Sequence, residues 1–250
     1  MWIECEGWGL TRKKVSNIML RNGKLVPLSQ LQKLEPIIGG RVNMFVNTTV
    51  ADVLRPCERK RAGLYDLALI IGGSLLIGLS AQLAVRLPFS PVPVTAQTFA
   101  VLMIGALFGS RRGGLSVLLY VIEGAMGLPV FAMGQGGAAV LLGPRGGYLV
   151  GFIVAAYAVG LLAERGWDRR IGSTILAMVL GNALIYTFGL LWLFCLRLVF
   201  RVPIGTGSVL AMGLYPFIVG DVLKIVLAAI VLPSSWELLR CREDRANSGQ

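Results

Sequence analysis

Residues 208–232 read SVLAMGLYPFIVGDVLKIVLAAIVL, a run in which the only charged side chains are Asp221 and Lys224. A stretch this long and this apolar matches the ~30 Å hydrocarbon core of a bilayer when coiled as a helix. Asp221 and Lys224 stand three residues apart and so share one helical face, about thirteen residues from one end of the run and eight from the other. Each costs about 2.5–3.5 kcal/mol at the centre of a membrane helix, so the favourable arrangement turns both towards a bundle interior where each meets a partner or water. Two readings follow. The pair is either a mutual ion pair that locks helices, or a site for a solute with an anionic group for Lys224 and hydrogen-bond donors for Asp221.

Working outward, further apolar stretches lie at 64–86, 94–109, 113–127, 148–163 and 172–195, separated by charge or by Pro/Gly punctuation. With 208–232 they make six, and the expected fold is an all-α membrane protein, a six-helix transmembrane bundle. The second and third stretches span only about 23 Å as helix, so they thin the bilayer, extend into loops or form a partly buried hairpin. Composition agrees: of 250 residues 55% are apolar and 15% charged, and 32 are glycines, which let helices approach closely where lipid offers no hydrophobic drive. The mean hydropathy is +0.72. There is no histidine, which excludes imidazole metal sites and Ser-His-Asp or Cys-His chemistry. The four cysteines form no C-x-x-C pair, so neither a disulfide framework nor a zinc site is expected.

The net charge of +11 sits in short clusters between apolar runs, a pattern that orients a membrane protein and does not suggest nucleic-acid binding. With the N-terminus inside, from Arg55 onward twelve Lys and Arg fall in the cytoplasmic segments and four, Arg86, Arg145, Arg197 and Arg201, on the other side. Both termini are therefore expected in the cytoplasm. Residues 1–62 hold eleven of the 24 basic residues and no spanning run, and read as a cytoplasmic extension, a disordered tail or an over-long gene start with Met19 and Met44 as alternatives. Residues 63–235 form the transmembrane domain and 236–250 a cytoplasmic tail. No secretory signal is evident in the extension.

Other polar residues inside the apolar runs are Gln97, Glu123, and the i, i+4 pair Asn182 and Tyr186. Each serves either as a helix–helix hydrogen bond or as part of the lining of one cavity. Phe131, Tyr148 and Tyr186 are candidate apolar walls for a ring system, or interfacial belt residues. Gly134-Gln135-Gly136-Gly137-Ala138-Ala139 fits the pattern G-x-G-x-x-A, but lies in an expected loop without the strand–helix context of a dinucleotide site. No G-x-x-x-x-G-K-[ST] loop occurs, so ATP-driven transport would need another subunit. Ser74-x-x-x-Gly78 and Ser80-x-x-x-Ala84 suit close contact with another helix, within the chain or in a partner.

Read in order, Pro91-Val92-Pro93-Val94-Thr95-Ala96-Gln97-Thr98, then Arg112-Gly113-Gly114-Leu115-Ser116 leading to Glu123-Gly124-Ala125-Met126-Gly127-Leu128-Pro129-Val130-Phe131-Ala132, resemble the BioY family. So do Gly143-Pro144-Arg145-Gly146-Gly147-Tyr148, Leu180-Gly181-Asn182-Ala183-Leu184-Ile185-Tyr186 and Pro216-Phe217-Ile218-Val219-Gly220-Asp221-Val222-Leu223-Lys224. The resemblance covers residues 50 to 240. It implies a biotin-specific substrate-binding subunit of an energy-coupling factor (ECF) transporter in a bacterial-type plasma membrane. The implied partners are a transmembrane coupling subunit and two ATPase subunits, with biotin as the transported ligand and no cofactor. Asp221 and Lys224 match the family's Asp-x-x-Lys signature. Gln135 and Asn182 are further implied ligand contacts, beside Gln97 as a candidate from its place in an apolar run, and Ser74 and Gly78 an implied docking surface for the coupling subunit. Arg145 departs from the family, which more often has a small polar residue there, and residues 1 to about 47 have no recognised counterpart.

Two rivals remain at this stage. A stand-alone secondary transporter or channel for a small anionic solute would need a continuous ion or proton path, for which Asp221 and Glu123 are candidates. An intramembrane enzyme would need paired catalytic groups or clustered metal ligands, and neither is present in the sequence.

Overall fold

A computed structural model of the protein describes residues 18–21, 24–27, 48–56, 58–86, 88, 92–198, 210 and 213–248. Among them the chain runs through β1 (Ile18–Arg21), β2 (Lys24–Pro27), α1 (Val50–Val53), α2 (Arg59–Gln82), β3 (Ala84–Val85) and β4 (Val94–Thr95). It continues through α3 (Gln97–Phe108), α4 (Ser110–Ala125), α5 (Ala138–Leu142), α6 (Gly146–Glu164), a 3-10 turn (Trp167–Arg169), α7 (Ile171–Leu198) and α8 (Tyr215–Ser248). Four stretches, Lys60–Gln82, Gly146–Glu164, Ile171–Leu198 and Tyr215–Leu239, are long and apolar enough to cross a membrane. The α3 and α4 helices, of 12 and 16 residues, form a hairpin joined at Gly109. At 1.5 Å per residue they are only about 18 and 24 Å long.

Several boundaries differ from those expected. The first helix begins at Arg59 and ends at Gln82, because the residues after it pair as a small antiparallel hairpin, Ala84 with Thr95 and Val85 with Val94. That hairpin takes the first residues of the stretch expected as a helix over 94–109. A second hairpin, β1 with β2, falls inside the segment expected to be a tail, so the described fold is not purely helical. The segment expected as a C-terminal tail from 236 is helical, since α8 runs through Pro233 to Ser248. Trp236 is 1% exposed, donates its indole N–H to Asp168 Oδ2 at 2.6 Å, and carries the Arg169 guanidinium 4.6 Å above its ring. These contacts tie that turn of α8 to the α6–α7 connection.

The helices meet almost backbone to backbone. A Cβ on Gly105 of α3 would lie 2.6 Å from the Ala156 carbonyl oxygen of α6, and one on Gly113 of α4 would lie 2.8 Å from the Gly105 Cα. Such approach gives the dispersion contacts and short interhelical distances that hold helices together in lipid. Large apolar side chains such as Leu75, Leu79, Leu191 and Leu223 are exposed on α2, α7 and α8, as a lipid-facing surface requires.

At the end of the bundle where α2 and α4 begin and α6 ends, charges neutralise one another. Glu164 accepts hydrogen bonds from the Ser110 amide (2.8 Å) and hydroxyl (2.7 Å). Asp52 accepts from the Thr49 amide and hydroxyl (3.1 and 2.8 Å) and from Arg112 Nη1 (2.8 Å), while Arg112 Nε lies 2.8 Å from Asp66. Burial alone pushes the Asp52 carboxyl upwards, but the bonds from Thr49 and Arg112 prevail and hold it below the usual carboxylate value.

Two outcomes are expected from this packing. Gly105→Ala forces a methyl against a carbonyl that cannot yield, and should destabilise the detergent-solubilised protein by about 1–3 kcal/mol in thermal or denaturant unfolding. Asp168 has its pKa raised to about 6 by burial, against the lowering effect of the Trp236 bond. The folded state therefore holds that proton more tightly than the unfolded one, and this contribution to stability is lost as pH rises from about 4 to about 6. The melting temperature should rise on acidification from pH 7 towards 5, and Asp168→Asn should flatten that rise.

Candidate functional site

At the opposite end of the bundle, where α3, α6 and α8 begin, a cavity of about 550 Å³, counted to its open mouth, lies between the helices. The roof is local in origin. The Gln82 side chain, at the end of α2, donates to the carbonyls of Val130 (3.4 Å) and Phe131 (3.3 Å) and accepts from the Gly134 amide (2.9 Å). Phe131 N–H donates to the Gln135 carbonyl (2.9 Å), closing a tight loop in which Met133 takes a positive φ of 67°. The same loop is fastened to α4 through Gly137 N–H and the Gly124 carbonyl, 2.7 Å. Gly124 also makes room for the Phe131 ring, which any Cβ there would strike.

Phe131 is 1% exposed and stands edge-on to Tyr120, with ring centroids 5.5 Å apart at 78°. Across the cavity Tyr148, Tyr186 and Phe217 form a second aromatic wall with centroids 6.1–6.5 Å apart. Tyr148 is held by donating its hydroxyl to the Gly213 carbonyl at 2.8 Å. The polar groups facing this space are few. Gln97 (4% exposed) and Tyr120 (0%) are buried beside one another and interact through their side chains, yet neither Gln97 Nε2 nor the Tyr120 hydroxyl makes a hydrogen bond of full geometry among the described residues. Unsatisfied donors at such depth cost roughly 1–3 kcal/mol each, and a ligand acceptor removes that cost. Arg145 also lines the cavity.

The charged pair lies beside this space and not in its wall. Lys224 Nζ donates to Asp221 Oδ1 (3.1 Å) and to Thr98 Oγ1 (2.8 Å), and the Tyr186 hydroxyl donates to Asp221 Oδ2. Lys224 lines a smaller cavity with Asn182, whose Oδ1 is unpartnered among the described residues, and Thr98 lines both spaces. Of the sequence candidates, Gln97, Phe131, Tyr148 and Tyr186 therefore line the main cavity, while Lys224 and Asn182 line the smaller one. Asp221 reaches the main cavity through Tyr186. Gln135 is exposed at the mouth and accepts from Arg145 Nη1 at 2.7 Å.

Ser74 and Gly78 are buried on the inner face of α2. Ser74 donates to Glu123 of α4, and Gly78 faces Val130. This placement makes their close contact one within the chain, and Ser74 is 0% exposed, so the pair is not a free docking surface as folded here. The sequence singled out neither Tyr120, Thr98, Gln82 nor Phe217 as site residues. A tyrosine or threonine in an apolar run gives little signal, and a glutamine at a helix end is ordinary. No group of three or more potential metal ligands occurs among the described residues.

An apolar cavity with aromatic walls and a few polar groups, opening at one end of an α-helical bundle with four stretches long and apolar enough to cross a membrane, has the form of a small-solute chamber in a polytopic membrane protein. The particular relationship follows from the sequence: residues 53–241 match the profile of the BioY family, and the chain belongs to that family. The biotin transporter BioY of Thermotoga maritima is 36% identical over 171 residues, covering 68% of this chain and 90% of that protein. The one from Rhodobacter capsulatus is 38% identical over 171 residues, covering 62% and 88%. A probable biotin transporter BioY of Pyrococcus horikoshii is 39% identical over 156 residues, covering 62% and 86%. In fold the chain resembles a solved S-component for biotin from an ECF-type ABC transporter, with a TM-score of 0.59 and 24% identity over 72% of this chain and 95% of the other.

The ion pair yields a test of its own. Lys224→Met leaves Asp221, 5% exposed, without its cation and should destabilise the protein by about 3–5 kcal/mol, whereas Lys224→Met combined with Asp221→Asn should recover most of the loss. Thermal unfolding of the two variants in detergent reads this difference.

Proposed function

We propose that this chain captures biotin at the outer face of the plasma membrane as the substrate-specific subunit of an ATP-driven ECF-type transporter. In this reading it crosses the membrane six times with both termini in the cytoplasm, and the chamber faces outward. The single observation that carries the reading is the chamber itself: aromatic walls on two sides and unsatisfied polar groups in a chain whose relatives are named biotin transporters. Its mouth lies at the end where basic residues are sparse, which the positive-inside pattern assigns to the exterior. The bicyclic body of biotin packs between Phe131 and Tyr148. Its ureido oxygen accepts from Gln97 or Tyr120, and these bonds strengthen as water is excluded.

The loop from Met126 to Gly137 is the cover of the chamber. It closes on bound ligand, because Phe131 is both its anchor and part of the wall. The Asp221–Lys224–Tyr186–Thr98 network holds α3, α7 and α8 in the registry that the walls need. Asn182 extends the polar lining below. Release to the cytoplasm is powered by two ATPase subunits through a transmembrane coupling subunit, because the chain has no phosphate-binding loop. No covalent chemistry is required of it.

Purified protein in detergent should bind biotin one to one by calorimetry. Tyr148→Ala should weaken binding at least about tenfold, a loss of about 1.4 kcal/mol, by removing one face of the ring slot. Absence of biotin binding to the intact protein would overturn the proposal. Uptake in cells that persists without ATPase partners and collapses with the proton gradient would replace the ATP-driven mechanism with secondary transport.

A further inference from the structure

We propose that Arg145 is the cation that receives the carboxylate of the ligand, and that it thereby sets a preference for the free acid over neutral derivatives. The inference deepens the biotin reading and rests on it. Arg145 lines the main chamber at the start of α6. Its Nη1 is fixed by the Ala132 carbonyl (3.3 Å) and Gln135 Oε1 (2.7 Å), while Nη2 and Nε have no partner among the described residues. Those two groups are adjacent edges of one planar fork, the geometry that takes a carboxylate through two parallel bonds.

The surroundings leave that positive charge unmatched. No described carboxylate forms an ion pair with Arg145, and the nearest charge that acts on it is that of another cation, Arg86. Burial first, and then Arg86, hold its guanidinium below the ordinary arginine value, although it stays protonated at any physiological pH. Directly after it, the first amides of α6 add the positive end of a 19-residue helix. Gln97 Nε2 and the Tyr120 hydroxyl, both deeply buried and without a hydrogen bond of full geometry among the described residues, face the same chamber and suit a ligand with acceptor oxygens.

Lys224 is the competing cation, and its charge is already met. It lies 3.1 Å from Asp221, also donates to Thr98, and borders the smaller space. A ligand carboxylate there would stand against Asp221 and meet repulsion. The chamber therefore has a polarity along its length, cation at the Arg145 mouth and neutral donors at Gln97 and Tyr120 further in. A molecule with an acid at one end and a cyclic urea at the other fits it in a single direction.

The test compares biotin with biotinamide, which keeps the ring system and replaces the acid with a neutral amide, on the full chain in detergent. Wild type should prefer biotin by at least about tenfold. Arg145→Gln should lose that preference by weakening biotin while leaving biotinamide within about twofold, and Arg145→Lys should keep part of it. Unchanged biotinamide affinity shows that the chamber is intact. Three results overturn the inference: wild type with no preference for the acid, a preference that survives in Arg145→Gln, or loss of both ligands in that variant, which would give Arg145 only a loop-holding role. Wild type that binds neither compound would instead overturn the biotin reading itself.

Discussion

The site depends on how closely three backbones come together. Gly105, Gly113 and the backbone of Ala156 place α3, α4 and α6 nearer than side chains would allow, and this contact fixes where their far ends emerge. At one end emerge Ser110 and Glu164, which bond to each other; at the other emerge Gln97, Tyr120 and Tyr148, which line a space. In lipid, where apolar surfaces gain nothing by leaving the solvent, such contact among small residues is among the few forces able to set helix positions to a fraction of an ångström.

The two ends of the bundle treat polarity differently. At the Arg112 end each acid meets a base or an amide, so the network is self-contained and contributes to holding α1, α2 and α4 in place. At the chamber end the groups are left incomplete, with donors facing empty space and a cation without an acid. Folded chains seldom leave buried donors unmet unless something else satisfies them, and the deficit at Gln97 and Tyr120 among the described residues is what a ligand would complete. Stability resides at one end and recognition at the other.

Much of this was legible in the sequence. The long apolar runs, the Asp221–Lys224 spacing and the glycine content read directly as membrane helices in close contact, because length, periodicity and residue size are local properties. Phe131 and Tyr148 were recognisable as wall candidates for the same reason. What the sequence did not show depends on which helices become neighbours. Lys224 has the right chemistry for an anion, yet its nearest acid lies on its own helix face one turn earlier, and only packing against Thr98 and Tyr186 shows that it stays engaged there. Arg145 looked like a departure in a turn, and its position over the chamber came from the way α5 and the loop before it fold back. Ser74 and Gly78 illustrate the same limit, since a small-residue pattern announces a close contact without saying with whom.

The length of α8 has a mechanical meaning. Its 34 residues extend about 51 Å, against a hydrocarbon core of about 30 Å, so part of the helix would stand outside a membrane that it crossed. Trp236 pins the shaft to the α6–α7 connection through Asp168 and Arg169, which makes that point a fulcrum. A small tilt of the bundle then appears at the tip of the rod as a larger sideways excursion.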